Sequence, residues 1–316
     1  MKIGDDIASS LGLAKPKNKE PRNRSVLDSW IARLETEINP SRSGRLAWLI
    51  ASTVVAAKLQ SVIDLDGKSR FSLKGGTLLQ HRLGLISRAT GDLDGIVCGD
   101  IDDFMRGLDS HLQEDWGTIS FSRTEVELIN TPAKIIKPRR FEIILSIKGQ
   151  TWRRVAVEMS ANEGLAGFTQ ETFEAPNLAP FGLPTPDFLV GMAMSYQIAQ
   201  KIHAATDPHD PPKYVNRRAR DVVDLVLIRD FVEIEKAPSE RGIKVALVDI
   251  FTSRADEART LGRTPRHLPA KVTAYSHWEH DYAEAAQSCG LGMSLDEAVS
   301  TVNSWIKNLV GSIGFE

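Results

Sequence analysis

Residues 71–98 constrain this chain more than any other stretch. Phe71-Ser72-Leu73 reads as a short strand, and Lys74-Gly75-Gly76-Thr77 as a turn. Leu79, Leu83 and Ile86 then recur at helical spacing, and Asp92-Leu93-Asp94-Gly95-Ile96-Val97 reads as a second strand. The order is strand, glycine turn, short helix, strand carrying acids. Residues two apart on a strand share a face, so Asp92 and Asp94 are predicted to lie side by side. Two adjacent carboxylates repel and call for a cation. Magnesium, or manganese, suits all-oxygen donors and keeps positions open for phosphate oxygens. Paired glycines let the backbone approach a bulky anion. The amides at the following helix start favour negative charge. Thr77 adds a hydroxyl and Lys74 a charge, while Arg88 and Thr90 fit phosphate or metal-shell contacts. Asp64-Leu65-Asp66-Gly67 repeats the acidic tetrapeptide without a preceding glycine turn, and it is expected to be an ordinary loop.

Two further strands are expected at Phe141–Ile147 and Arg154–Met159, joined by a hairpin at Gly149-Gln150-Thr151. Glu158 stands in the apolar alternation of the second strand and is the candidate third metal carboxylate, with Glu142 as its rival. Residues 161–187, rich in Pro, Gly, Asn and Thr, read as a linker or active-site loop. Helices are expected over Val26–Ile38 and, nearly all apolar, over Ala47–Val62. From Asp187 onward no strand is expected. A stripe of Leu189, Met192, Tyr196, Ala199 and Ile202 predicts a helix over 189–204, and further helices follow at 219–232, 240–256, 270–287 and 294–311. Ser294 and Glu297 form a capping-box pattern. The architecture predicted is α+β with a mixed sheet, then an all-helical region. Its divisions are a mobile basic arm (1–25), a core (26–186) and a helical domain (187–316).

In the helical half, Lys201 is placed to reach a polyphosphate as a point charge, or else is a surface lysine. Asp221 and Asp224 share a helix face, with Arg217 and Arg220 placed to pair with them. An acid there can orient an attacking hydroxyl; the bland reading is a set of salt bridges. His277-Trp278-Glu279-His280 lacks the spacing of a zinc site.

Lys plus Arg number 39 and Asp plus Glu 41 in 316 residues, a formal charge of -2. Any nucleic-acid footprint is therefore local. The basic stretches 14–24 and Lys137-Pro138-Arg139-Arg140 are the candidates for one. Cys98 and Cys289 are the only cysteines, which excludes a disulfide scaffold and fits a cytoplasmic location. No apolar run reaches the roughly 18 residues of a membrane span.

Four segments in order carry a family resemblance: Leu73-Lys74-Gly75-Gly76-Thr77, Arg88-Ala89-Thr90-Gly91-Asp92-Leu93-Asp94, Lys201-Ile202-His203-Ala204 and Arg218-Ala219-Arg220-Asp221-Val222-Val223-Asp224-Leu225. The chain resembles the AbiEii/MenT nucleotidyltransferase-like toxins. The resemblance implies a polymerase-β-like nucleotidyltransferase core and a helical domain. It implies transfer of a nucleotide from an NTP, with magnesium, to an RNA acceptor such as the tRNA 3′ end. It also implies a cognate antitoxin and a role in phage defence or growth control. By similarity Gly75, Gly76 and Thr77 hold phosphate, Asp92 and Asp94 bind metal, Lys201 contacts the nucleotide, and Asp221 is catalytic. Gly95 departs from the large apolar residue usual in the family, which predicts a looser strand, and Arg220 replaces a frequent Lys. Two other readings share the residues: a protein-NMPylating enzyme, whose acceptor is chosen outside the core, and a non-catalytic nucleotide-binding module.

Overall fold

The structure, a computed structural model, describes residues 14–38 and 44–311. Among the described residues, helices α1 (Arg24–Ile38) and α2 (Arg45–Gln60) come first. Strand β1 (Phe71–Lys74), helix α3 (Gly75–Leu83) and strand β2 (Asp92–Val97) follow in the predicted order. Helix α4 (Ile101–His111) then leads into β3 (Ile119–Arg123), β4 (Glu127–Leu128), β5 (Arg139–Ile147), β6 (Gln150–Ala161), β7 (Gln170–Glu174) and β8 (Phe188–Met192). The described elements beyond β8 are helices joined by loops: α5 (Met194–Ala205), α6 (Ala219–Glu235), α7 (Glu240–Thr260), α8 (Glu279–Cys289) and α9 (Leu295–Val310).

The eight strands form one mixed sheet in the order β3-β5-β6-β2-β1-β8-β7, with β4 beside β5. Strand β2 lies at its centre, antiparallel to β1 and parallel to β6. The hairpin between β5 and β6 turns at Lys148 and Gly149, both in the left-handed region (φ 50 and 73), as a two-residue turn matching strand twist requires. Helix α2, buried nearly all round, packs against β1, β6 and β8. Asp64-Leu65-Asp66-Gly67 is the loop expected: the Asp64 carboxylate accepts from the Asp66 and Lys68 amides at 2.9 Å, and Leu65 is fully exposed.

Four expectations need correction. Residues 188–192 are a strand, and the helix begins only at Met194. A five-residue apolar run fits a buried strand as well as a helical stripe, and β8, buried from Leu189 to Met192, is the former, between β1 and β7. The 161–187 segment is not all loop, because Gln170–Glu174 forms the edge strand β7, whose charged, polar residues hid it. Residues 270–275 are irregular rather than helical: they follow Pro269, and the Asn303 side-chain amide pins the Val272 N–H and C=O at 2.9 Å each. The basic 14–24 segment is not wholly a free arm. The Lys17 amide donates to the Ala179 carbonyl at 2.9 Å and its ammonium lies 5.1 Å from the Trp30 ring. Residues 1–13 of the arm expected over 1–25 lie outside the described residues.

Gly95 does not loosen β2. A Cβ there would sit 2.0 Å from Phe71 Cζ, so the missing side chain is the space that the Phe71 ring occupies. That ring is fully buried and stacks on Phe104 at 6.1 Å. Gly95→Val is therefore expected to cost at least about 1–3 kcal/mol through overpacking. Chemical denaturation of the single variant and of Gly95→Val/Phe71→Leu checks this, the second change recovering part of the loss.

Candidate functional site

Backbone pairing alone brings the glycine turn and the acids together. Lys74 is directly opposite Asp94 across β1 and β2, and Asp94 is opposite Glu158 across β2 and β6. Directly paired residues share a face, so Lys74, Asp94 and Glu158 form one row, with Asp92 on the same side two positions along β2. Gly75, at φ +65, follows at the strand end and lies so close that a Cβ on it would meet Asp94 Oδ2 at 2.2 Å. A Cβ on Gly76 would meet Thr90 Oγ1 at 2.9 Å and an Arg88 guanidinium nitrogen at 3.2 Å. The glycines thus let the start of α3 settle onto the acid-bearing strand.

The carboxylates differ in setting. Asp92 is exposed and accepts a 3.0 Å hydrogen bond from the Thr90 hydroxyl. Burial pushes the Asp94 carboxyl up to about 6; Lys74 opposes this, while Asp92 and Glu158 reinforce it. Burial likewise lowers the Lys74 ammonium, against the pull of Asp94, and it donates to Ser160 Oγ at 2.7 Å. Glu158 accepts from Arg140 at 2.9 Å. Its rival Glu142 instead faces Ala156 across the sheet and pairs with Arg154 at 2.9 Å. Three neighbouring carboxylates, one of them destabilised by the other two, fit a hard divalent cation by donor type and by charge.

The Thr77 hydroxyl donates to the Asp92 main-chain carbonyl at 2.5 Å and is fully buried, so here it braces the helix start against β2. The Gly75 peptide is engaged on both sides by Gln197, a residue that sequence reasoning missed. The next amides of α3, from Gly76 on, belong to its first turn and have no partner within the helix.

The helical half contributes a buried ion cluster. Lys201 is 6% exposed rather than on the surface, and its ammonium donates to Asp221 at 2.8 Å and Asp224 at 2.7 Å. Burial opposes its charge, but these two carboxylates hold it above its ordinary value. Asp224, with no exposed surface, also takes both prongs of Arg88 at 2.9 and 3.0 Å. Asp221 resists burial through Lys201 and Arg218 and is held below the usual carboxylate range. The pairing expected with Arg217 and Arg220 is not the one found: Arg220 reaches Glu284 at 3.5 Å, and Arg218 approaches Asp221 at 3.8 Å. Arg88, just before the acid strand, is the partner that links the halves. Its 136-residue separation from Asp224 leaves no local spacing to read.

Gly75 is conformationally required as well as sterically required. Gly75→Ala adds left-handed strain and drives its Cβ into Asp94. Displacing Asp94 by about 1 Å is expected to cost roughly 100-fold in turnover, with secondary structure by circular dichroism unchanged.

His277 has a structural task, its Nε2 lying 2.6 Å from the Asn216 carbonyl oxygen. Elsewhere, ligand atoms of the exposed residues His280, Asp281 and Glu284 lie within 4.8 Å of one another. Among the described residues no helix is long and apolar enough to cross a membrane.

The sequence model of the nucleotidyl transferase AbiEii toxin family, type IV toxin–antitoxin system, matches residues 59–302. No curated protein sequence matches the chain. Among solved structures, the chain is similar to MenT4, a nucleotidyltransferase toxin from Mycobacterium tuberculosis H37Rv. The two are 18% identical, the alignment covers 91% of this chain and 98% of that one, and the TM-score is 0.47.

Proposed function

The chain belongs to the AbiEii family of nucleotidyltransferase toxins of type IV toxin–antitoxin systems, and from that premise we propose that it transfers a nucleotide from an NTP to an RNA acceptor such as the tRNA 3′ end. A cognate antitoxin counters it, in phage defence or growth control. The observation that carries this reading is the contact of Gly75 with Asp94 at the paired ends of β1 and β2. It supports a triphosphate cradle beside a carboxylate cluster.

Asp92 and Asp94, with Glu158 as third ligand, are the residues that would hold magnesium or manganese. The ion would supply charge neutralisation at the transferring phosphoryl group. Gly75 and Gly76 shape the cradle, and the α3 amides from Gly76 onward donate to phosphate oxygens. Thr77 fixes the helix start to Asp92, and Thr90 orients the Asp92 carboxylate. Lys74 offsets part of the negative charge around Asp94. An ammonium has three donors; Lys201 spends two on Asp221 and Asp224, which leaves one for the nucleotide. Arg88 is held by Asp224 beside Gly76, positioned for a phosphate oxygen. Asp221, kept ionised, is suited to accept a hydrogen bond from the acceptor hydroxyl and align it on the α-phosphorus. Pyrophosphate leaves as the new phosphodiester forms.

Incubation with each α-labelled NTP plus total RNA or total protein tests the reading. Label in RNA is expected. Label confined to protein replaces the acceptor with a protein hydroxyl, and label in neither removes the transferase reading.

A further inference from the structure

Helix α5 carries Gln197 and Lys201 four residues apart, hence on one face. Gln197 is 1% exposed. Its side-chain amide brackets the main chain of one residue: Oε1 accepts from the Gly75 N–H at 3.1 Å and Nε2 donates to the Gly75 C=O at 2.9 Å. Rotating that side chain away strands buried polar groups on both partners. One turn further on, Lys201 grips Asp221 and Asp224 of α6. A single helical turn therefore ties the glycine turn of the sheet to the carboxylates of the helical half. Gly75 is also the residue whose left-handed backbone presses on Asp94.

We propose that Gln197 is a positioning residue for the nucleotide. It fixes the Gly75 peptide so that the amides from Gly76 onward face the triphosphate, and it occupies the Gly75 N–H, which is therefore not a phosphate donor. This rests on the nucleotidyltransferase reading of the site. Two variants test it. Gln197→Met keeps length and burial but leaves both Gly75 groups unmet. Gln197→Glu keeps the shape and the acceptor, alters the donor, and decides the matter if the methionine variant does not fold. Binding of ATP, GTP, CTP and UTP with magnesium is measured by calorimetry, and steady-state kinetics are measured for the NTP that the wild type uses. The NTP KM is expected to rise about tenfold or more, the equivalent of losing one or two hydrogen bonds. The kcat should fall far less, and the acceptor KM should hold within about twofold. A folded variant with wild-type NTP affinity, or with equal losses in NTP KM, acceptor KM and kcat, overturns the assignment while leaving the transferase reading intact. A wild-type protein that binds no NTP overturns both.

Discussion

Asp94→Asn is expected to reduce nucleotide transfer by about a thousandfold or more, because it removes a charge from the centre of the carboxylate cluster proposed to hold the metal ion, a neutralisation worth several kcal/mol. The fold should survive the change. In the metal-free protein the ionised Asp94 is a burden: burial, together with Asp92 and Glu158, raises its pKa to about 6 from an ordinary 3.8. Between those values the native state binds more protons than the unfolded state, so stability falls as pH rises through the window and stays low above it. Asp94→Asn removes that slope. The metal-free variant should be more stable than wild type at pH 7 by of the order of 1–3 kcal/mol and indistinguishable below pH 4. Thermal melts in chelator at the two pH values, paired with a labelled-NTP transfer assay, read both halves. A variant that melts lower than wild type at pH 7, or that still transfers label, contradicts the account.

Lys201→Met should act on stability as well as on the proposed nucleotide contact. It leaves Asp221 and Asp224 without their shared ammonium inside a cluster where Asp224 has no exposed surface. Breaking such a buried pair is expected to cost about 3–5 kcal/mol. Arg88 keeps its two bonds to Asp224 and Arg218 stays near Asp221, which favours the lower end. Adding Asp221→Asn to Lys201→Met should recover part of the loss, since without Lys201 the Asp221 carboxylate keeps only the 3.8 Å approach of Arg218, whereas Asp224 keeps Arg88. Urea denaturation of the single and double variants measures the coupling. If the double variant is no more stable than Lys201→Met, the cluster is not a single electrostatic unit.

What was legible in the sequence is local. The strand, glycine turn, helix and Asp-x-Asp strand of residues 71–97 could be read because each signal falls within a few residues of the next. The Ser294 capping box could be read for the same reason. The acids of the helical half could be found but not their partners, because Arg88 and Asp224 meet only through the tertiary fold. Gln197 carried no signal of its own. Its four-residue offset from Lys201 is the feature that puts it on the same helix face. Strand β8 was missed because an apolar run buried on both faces satisfies two periodicities at once. Gly95 reads as a weakness because a glycine in a strand gives no local sign of the ring that fills its space.

The central claim is that Asp92 and Asp94 hold one divalent ion beside a triphosphate seated on the turn at residues 75–77. Anomalous diffraction from crystals grown with manganese and a non-hydrolysable NTP analogue tests it most directly. The account predicts a manganese peak in contact with one oxygen from each of the two aspartates, and phosphate density over the Gly76 and Thr77 amides. Manganese at His280, Asp281 and Glu284 instead, or a triphosphate bound away from the glycine turn, would contradict it.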